Sequence, residues 1–541
     1  MRNIVDRKNT SIEKQLLLIA GSLIAFLILL FFSGCDENND PGPGAETPEL
    51  TGNSITYNLV PIENSGVSGT VEFAETTDNN TWITFNISGG TQGEVHPVHI
   101  HQNSQVEGGG IVISLGNIDG TTGDHEILVE TRDDDSAVSY NDLTSFDGHI
   151  NIHASPSDLS TIVAAADIGG NELTGDEEDY GLTGKAEPGL SGEVLLQERK
   201  NGETLVTVRV EDYTGSDDLP NHIHADNAVT GGPIVVSLNP VDASTGIGMT
   251  HVGQFDDGTP VSFSDLNDFD GHVNIHKSES ELQIVILQGD FGQNRLTGDE
   301  VEYELMSRTA DDVSGTALFS KRENNETLVT LMLNNTLEEL IHPAHIHLNS
   351  AAEGGGIAID LTAVDGSSGM SMTNISQYND DTPITYDELI EIDGYINVHL
   401  SGTQLSTVIA QGDVGQNALT GNSVSYDLAA VGGSNISGMV IFHERMSGSS
   451  LVEISLTGTV DPDIHPAHIH ANDVSAGGGI IIGLKSVNGN SGTSLTHVEA
   501  MDDETPISYD QLTEIDGHVN VHKSMQDFSV VANGNVGQNA D

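Results

Sequence analysis

The sequence predicts an all-β protein: four tandem antiparallel β-sandwich domains, of Greek-key or immunoglobulin-like type, behind a short apolar leader. Two observations carry this. First, the chain repeats itself at a step of 123 residues, which relates His101, His224, His347 and His470, and likewise His153, His276, His399 and His522. Tyr57, Tyr180, Tyr303 and Tyr426 fall on the same step, as do Gly69, Gly192, Gly315 and Gly438. A period this long is a whole domain with its own core rather than a solenoid unit. Second, the local pattern inside each copy has period two, the mark of a half-buried strand. Ile83/Phe85/Ile87, Val206/Val208/Val210, Val329/Leu331/Leu333 and Val452/Ile454/Leu456 show it.

The leader comes first. Arg2, Arg7, Lys8 and Lys14 precede an almost wholly apolar run at 16–32, the layout of a secretory signal. Seventeen residues are marginal for a membrane-spanning helix. The run ends in Phe32-Ser33-Gly34-Cys35, with small residues before the only cysteine of the chain. This resembles the lipobox of bacterial lipoproteins, with Phe32 where Leu is usual. The resemblance implies a signal peptide over 1–34 and a lipidated Cys35, with 35–56 as an acidic tether rich in Pro, Gly and Asn. It also implies a membrane held through a lipid anchor. The acidic run after Cys35 is similar to the tag of surface-exposed lipoproteins, which implies a place in the bacterial cell envelope, on the outer membrane and facing outward.

The domains follow with almost no linker: 57–179, 180–302, 303–425 and 426–541, the last having lost one residue between His522 and Asn535. Asp78-Asn79, Asn201-Gly202, Asn324-Asn325 and Ser447-Gly448 precede the alternating strands and suit the positive φ of tight hairpins. A further strand follows each glycine cluster, as after Gly108-Gly109-Gly110 and Gly477-Gly478-Gly479. Beyond a turn around Tyr140–Leu143 and its equivalents, no stretch of the mature chain has helical periodicity. Seven or eight strands per copy fit a sandwich of ~100–125 residues.

The net charge of −65 becomes −67 once residues 1–34, with four basic and two acidic side chains, are removed. Nucleic acid is excluded as a partner, because a polyanion is repelled. One cysteine in 541 residues excludes an intramolecular disulfide framework and cysteine-based zinc sites.

Histidine is concentrated. Fifteen of the 22 histidines form two clusters per copy. The first supplies His99 and His101, His222 and His224, His345 and His347, and His468 and His470. The second supplies His149 and His153, His272 and His276, His399, and His518 and His522. Residues i and i+2 of a strand share a face, so adjacent strands would bring these rings together. Sulfur-free imidazole clusters suit Zn²⁺ or Cu²⁺, one ion per copy. The competing reading is a framework of histidines tying strand to loop through their ring nitrogens. Copy-to-copy variation narrows the metal reading to three rings. Tyr395 stands in place of His149 in the third copy, and Leu219 in place of His96 in the second, whereas the equivalents of His99, His101 and His153 occur in all four. His125, His251, His443 and His497 lie outside the clusters and read as surface residues.

Three motifs, His99-Ile100-His101, Gly110-Ile111-Val112-Ile113 and Asn151-Ile152-His153, recur in the other copies. Together they resemble the CHRD domain, named for its repeats in chordin, over nearly all of 57–541. The copies depart from that family at their ends, reading Gln288-Gly289-Asp290-Phe291-Gly292-Gln293-Asn294 where it has a Gly-Glu-Ile-Arg-Gly-like strand. The resemblance implies a β-sandwich-like binding module, with an extracellular protein or other ligand as partner and no enzymatic activity. A weaker likeness, to copper/zinc superoxide dismutases, lies in the strand-borne His-x-His. No nucleophile elbow, phosphate loop or His-Glu-x-x-His motif occurs, so no catalytic residue is assigned. Acidic-Gly turns such as Asp119-Gly120 and Asp365-Gly366 lack the spacing of a calcium loop. The alternative is a copper- or zinc-dependent extracytoplasmic enzyme, redox or hydrolytic. Asp147, Asp270, Asp393 and Asp516 are the repeated carboxylates next to the motif in sequence.

Overall fold

The computed structural model describes residues 47–62 and 64–540, so Cys35, residues 1–34 read above as a signal peptide and residues 35–46 read as tether lie outside the described residues. The fold is all-β, 57% strand and 4% helix, in four eight-stranded antiparallel, barrel-like sheets. In the first copy the strands are β1 (Leu50–Pro61), β2 (Ser68–Thr76), β3 (Thr81–Ser88), β4 (Val95–Gln102), β5 (Ile111–Asp119), β6 (Asp124–Val129), β7 (Asp147–Ser155) and β8 (Asp158–Gly169). They lie side by side in the order β5-β4-β7-β8-β1-β2-β3-β6. The third copy has the same order and closes on itself, through the pairing of Asp365 with Met370.

Local chemistry explains the elements. In β3, Ile83, Phe85 and Ile87 point inward and are buried, as their alternation predicts. The hairpins before these strands turn at Asn79, Gly202, Asn325 and Gly448, all with positive φ. The turn expected near Tyr140 is a short helix, α1 (Tyr140–Thr144). Ser139 accepts the Asp142 N–H there, while the Asp142 carboxylate accepts the Ser139 N–H. Each copy packs its own hydrophobic cluster.

The sheets begin at Leu50, Leu173, Leu296 and Leu419, ahead of the tyrosines used to mark the copies. Residues 50–56, read as tether, therefore belong to β1, where Ser54–Thr56 pair with Ala74–Glu72 of β2. Their side chains are mostly exposed, so this half of the strand has no apolar alternation to betray it.

The copies are joined rather than strung. Asn201 N–H donates to Gly170 O at 2.9 Å and Lys200 N–H to Glu172 O at 2.8 Å, so the second copy's first hairpin is hydrogen-bonded to the end of the first. Asn324 and Glu323 bond to Gln293 and Arg295 in the same way, and Ser447 and Met446 to Gln416 and Ala418. Beside each hairpin lies a fully buried arginine. Arg199 reaches Asp167 at 2.7 Å, Arg322 reaches Asp290 at 2.7 Å and Arg445 reaches Asp413 at 2.9 Å, each across the junction. The same guanidinium Nη1 atoms also donate to the carbonyls of Asn171, Asn294 and Asn417. Thr76 holds the arginine's position in the first copy, and Asn535 the aspartate's in the fourth.

Candidate metal centre

Two adjacent strands build the centre. β4 pairs antiparallel with β7, placing His101 opposite His149, His99 opposite Asn151 and Val98 opposite Ile152. The apolar residues between the histidines, Val98, Ile100, Ile150 and Ile152, are fully buried in the core, which turns the imidazoles to the other face. A register irregularity at His153 accompanies its approach to the other two rings. The ring centroids of His99 lie 5.9 Å from His101 and 4.9 Å from His153, and those of His101 and His153 are 6.0 Å apart.

The same trio forms in every copy: His99/His101/His153, His222/His224/His276, His345/His347/His399 and His468/His470/His522. In each, one ring nitrogen per histidine lies within 4.8 Å of the others. A tetrahedral ion ~2.0–2.1 Å from each nitrogen would hold them about 3.4 Å apart, so small ring rotations suffice to close the set. Most of these nitrogens have no hydrogen-bond partner in the protein. Nδ1 of His99, His222, His345 and His468 is buried and unpartnered, as is Nε2 of His101, His224 and His470. In the third copy, Asn397 Nδ2 reaches His347 Nε2 at 3.5 Å.

Tautomers are set locally. His101 Nδ1–H donates to Gly109 O at 3.0 Å, leaving Nε2 as the free acceptor, and His224, His347 and His470 repeat the bond to Gly232, Gly355 and Gly478. The backbone passes so close here that a Cβ on Gly109 would sit 2.1 Å from the Gln102 carbonyl oxygen, which accounts for the middle glycine of the cluster. His522 Nδ1–H donates to Phe528 O at 2.8 Å. Burial, reinforced by neighbouring imidazoles, holds His99, His153, His222, His276, His345, His399, His468 and His470 below the ordinary histidine value. Neutral imidazoles at neutral pH are the form that binds metal.

The fourth histidine is not in the group. His149 Nδ1–H donates to Asn103 O at 2.9 Å, and its Nε2 accepts from Asn151 Nδ2 at 3.2 Å. Its ring stacks on His101, with centroids 5.0 Å apart and planes at 19°. His272 and His518 are bonded and stacked likewise on His224 and His470. Tyr395 takes the same place on His347, 4.9 Å away at 18°. The position therefore provides an aromatic shelf that Tyr fills as well as His, and this is where the structure departs from counting His149, His272 and His518 as ligands. His96, His342 and His465 donate from Nδ1 to the backbone around His153, His399 and His522, tying β4 to the end of β7.

Asp147, Asp270, Asp393 and Asp516 do not serve the trio either, because their carboxylates accept from Asn171, Asn324, Asn417 and Asn539. The carboxylates whose charge acts on the first histidine of each trio are Asp133, Asp256, Asp360 and Asp502, joined by Glu279 in the second copy, all of which the sequence reading missed. Asp133, Asp256 and Asp502 sit in acidic loops far along the chain, where nothing local marks them. The four outlying histidines are partly buried rather than surface residues. His125 Nε2–H donates to Leu115 O at 2.6 Å, His251 lies 3.0 Å from Glu203 and 3.7 Å from Glu107 of the preceding copy, His443 bonds Glu453 at 3.1 Å, and His497 is 3.7 Å from Glu499.

No family model matches the chain, and no curated protein does. Among solved structures, it is similar to a chain described as "Biofilm associated protein - BSP domain", at 9% identity over 92% of this chain and 99% of that one. The TM-score of that likeness is 0.13.

Proposed function

We propose that the protein is a cell-envelope lipoprotein, anchored through Cys35 and exposed on the outer membrane, that presents four CHRD-like binding modules, each with a divalent-metal centre of three histidines. One observation carries the metal assignment. Four copies that differ at the His96 and His149 positions all keep three imidazoles with ring nitrogens within 4.8 Å, most of those nitrogens unpartnered. Buried polar atoms without partners are costly, and a framework role would have used them. An all-nitrogen set of this kind suits Zn²⁺ or Cu²⁺.

The test is elemental analysis of the mature chain after dialysis against Zn²⁺ or Cu²⁺, beside a chain carrying His153→Ala, His276→Ala, His399→Ala and His522→Ala. Near four ions per chain, lost in the substituted protein, is the expected result. No bound metal in the unsubstituted chain would sink the reading. A second reading, a copper- or zinc-dependent enzyme, is favoured by the number of ligands, since three protein donors leave a coordination position for water or substrate. A redox or hydrolytic assay of the loaded protein separates the two.

A further inference from the structure

We infer that each metal centre includes a carboxylate acting through the first histidine: that histidine ligates through Nδ1, and its Nε2–H is turned to the aspartate of the neighbouring strand or loop. This rests on the three-histidine reading above. The aspartate is a positioning residue, not a ligand.

The geometry has three parts. The first histidine of every trio keeps Nδ1 buried and unpartnered; in the third copy Nε2 lies 3.8 Å from Asp360 Oδ1, and in the other three no carboxylate oxygen among the described residues lies within 4.0 Å of that ring's nitrogens, so the aspartate there must close in when the ion binds. The cross-strand partners of His99, His222, His345 and His468 are Ser114, Ser237, Asp360 and Gly483. Each of these residues is clamped by a side chain from the loop that follows β6 or its equivalent. Asp133 accepts the Ser114 N–H at 2.9 Å, Asp256 the Ser237 N–H at 3.0 Å, Asn379 the Asp360 N–H at 2.9 Å, and Asp502 the Gly483 N–H at 2.8 Å.

The third copy decides the matter. It has exchanged the pair, Asp360 for serine on the strand and Asn379 for aspartate in the loop, and so keeps a carboxylate in this pair while moving it across the hydrogen bond. A loop clamp alone needs no charge, as Asn379 shows. Retaining the charge on the opposite partner is what a carboxylate–histidine–metal relay requires, because the carboxylate fixes the tautomer and strengthens the imidazole as a donor.

The experiment uses the full mature chain with His276→Ala, His399→Ala and His522→Ala, which leaves one centre. In that background, Asp133→Asn is compared with the double change Ser114→Asp and Asp133→Asn, which imposes the third copy's arrangement on the first. Zn²⁺ affinity by competition titration should fall about 10–100-fold in Asp133→Asn at unchanged stoichiometry, and return to within about threefold in the double variant. An unchanged Kd in Asp133→Asn, or a loss that the double variant does not restore, overturns the inference. Long-range ¹H–¹⁵N spectra of the metal-free protein give an independent readout. Nε2–H at His99 supports the arrangement and Nδ1–H overturns it. Absence of Zn²⁺ binding before any aspartate change refutes the metal reading, and the tautomer measurement then still judges the carboxylate pairing.

Discussion

Replacing Asp290 by Asn at the junction of the second and third copies should open that junction selectively. Arg322 is fully buried, and its Nη1 reaches Asp290 at 2.7 Å, while its Nε donates to Asn374 Oδ1 at 2.7 Å. Asn keeps the shape and can still accept the Ala228 N–H, as Asn535 accepts the Val474 N–H in the fourth copy. What is lost is the charge opposite a buried guanidinium, a change that costs about 3–5 kcal/mol when one partner of a buried pair is removed. An exposed pair such as Lys277–Glu281 contributes about 0–1 kcal/mol. At about 1.4 kcal/mol per decade, the junction should open roughly 100- to 3000-fold more often. Amide hydrogen exchange at Glu323 and Asn324, whose N–H groups donate to Arg295 and Gln293 across the boundary, reads that opening directly. Exchange at the strand Thr204–Glu211 should stay unchanged, and Arg322→Met should cost less than Asp290→Asn, because the Asp290 carboxylate it leaves is 17% exposed and still accepts the Ala228 N–H, whereas the guanidinium left by Asp290→Asn is fully buried. Less than tenfold acceleration at Glu323 and Asn324, or equal acceleration throughout the second copy, would refute the reasoning.

Three further outcomes follow from the centre and the leader. His149→Tyr should leave metal stoichiometry unchanged, as Tyr395 already fills that shelf in the third copy, whereas His153→Ala should remove one ion per chain; elemental analysis of both checks it. Stability of the metal-free protein should depend on the trios. Burial lowers the pKa values of His99, His153, His222, His276, His345, His399, His468 and His470, so between their folded values and the unfolded value near 6.5 the unfolded chain binds more protons. The contribution is therefore full above pH ~6.5 and declines as pH falls through that value, and denaturation midpoints at pH 7.5 and 5.5 should differ less in a chain lacking His153, His276, His399 and His468. Finally, Cys35→Ser should release the protein from the membrane fraction and abolish the lipid mass on the mature N-terminus.

The repeat, the strands and the three-histidine core were legible because each is a periodicity: 123 residues between copies and two along a strand. Strand order was not, since it is fixed by pairing between distant segments rather than by any local pattern. The first half of β1 escaped because exposed Thr, Asn and Ser side chains leave no alternation. Counting His149 as a ligand followed from its sharing a strand face with His153, and only the stack on His101 shows what that face does there. Tyr395 was the available signal. Arg199, Arg322 and Arg445 also fall on the 123-residue step, in a chain with only 17 basic side chains, so the junction latches could have been found by the same self-comparison.

The joined copies also constrain how the centres fill. Residues Leu50–Asp541 form one compact unit, and each junction is held by backbone hydrogen bonds and a buried ion pair. Each trio lies within one copy, on the strands equivalent to β4 and β7, and among the described residues no ligating group of another copy joins it. An ion in one centre thus has no element to move at the next, and coupling needs such an element. Loading should be non-cooperative, with the third centre filling last. There, Asn397 Nδ2 holds His347 Nε2 at 3.5 Å and must release it, whereas the corresponding Asn151, Asn274 and Asn520 bond His149, His272 and His518 instead. A long hydrogen bond contributes about 0.5 kcal/mol or a little more, so the third centre should bind two- to fivefold more weakly. Calorimetric titration with Zn²⁺ should show a Hill coefficient no greater than one, and His399→Ala should remove the weakest class of sites. A coefficient clearly above one would mean that the copies communicate through the junctions, and the view of them as passive struts would have to be given up.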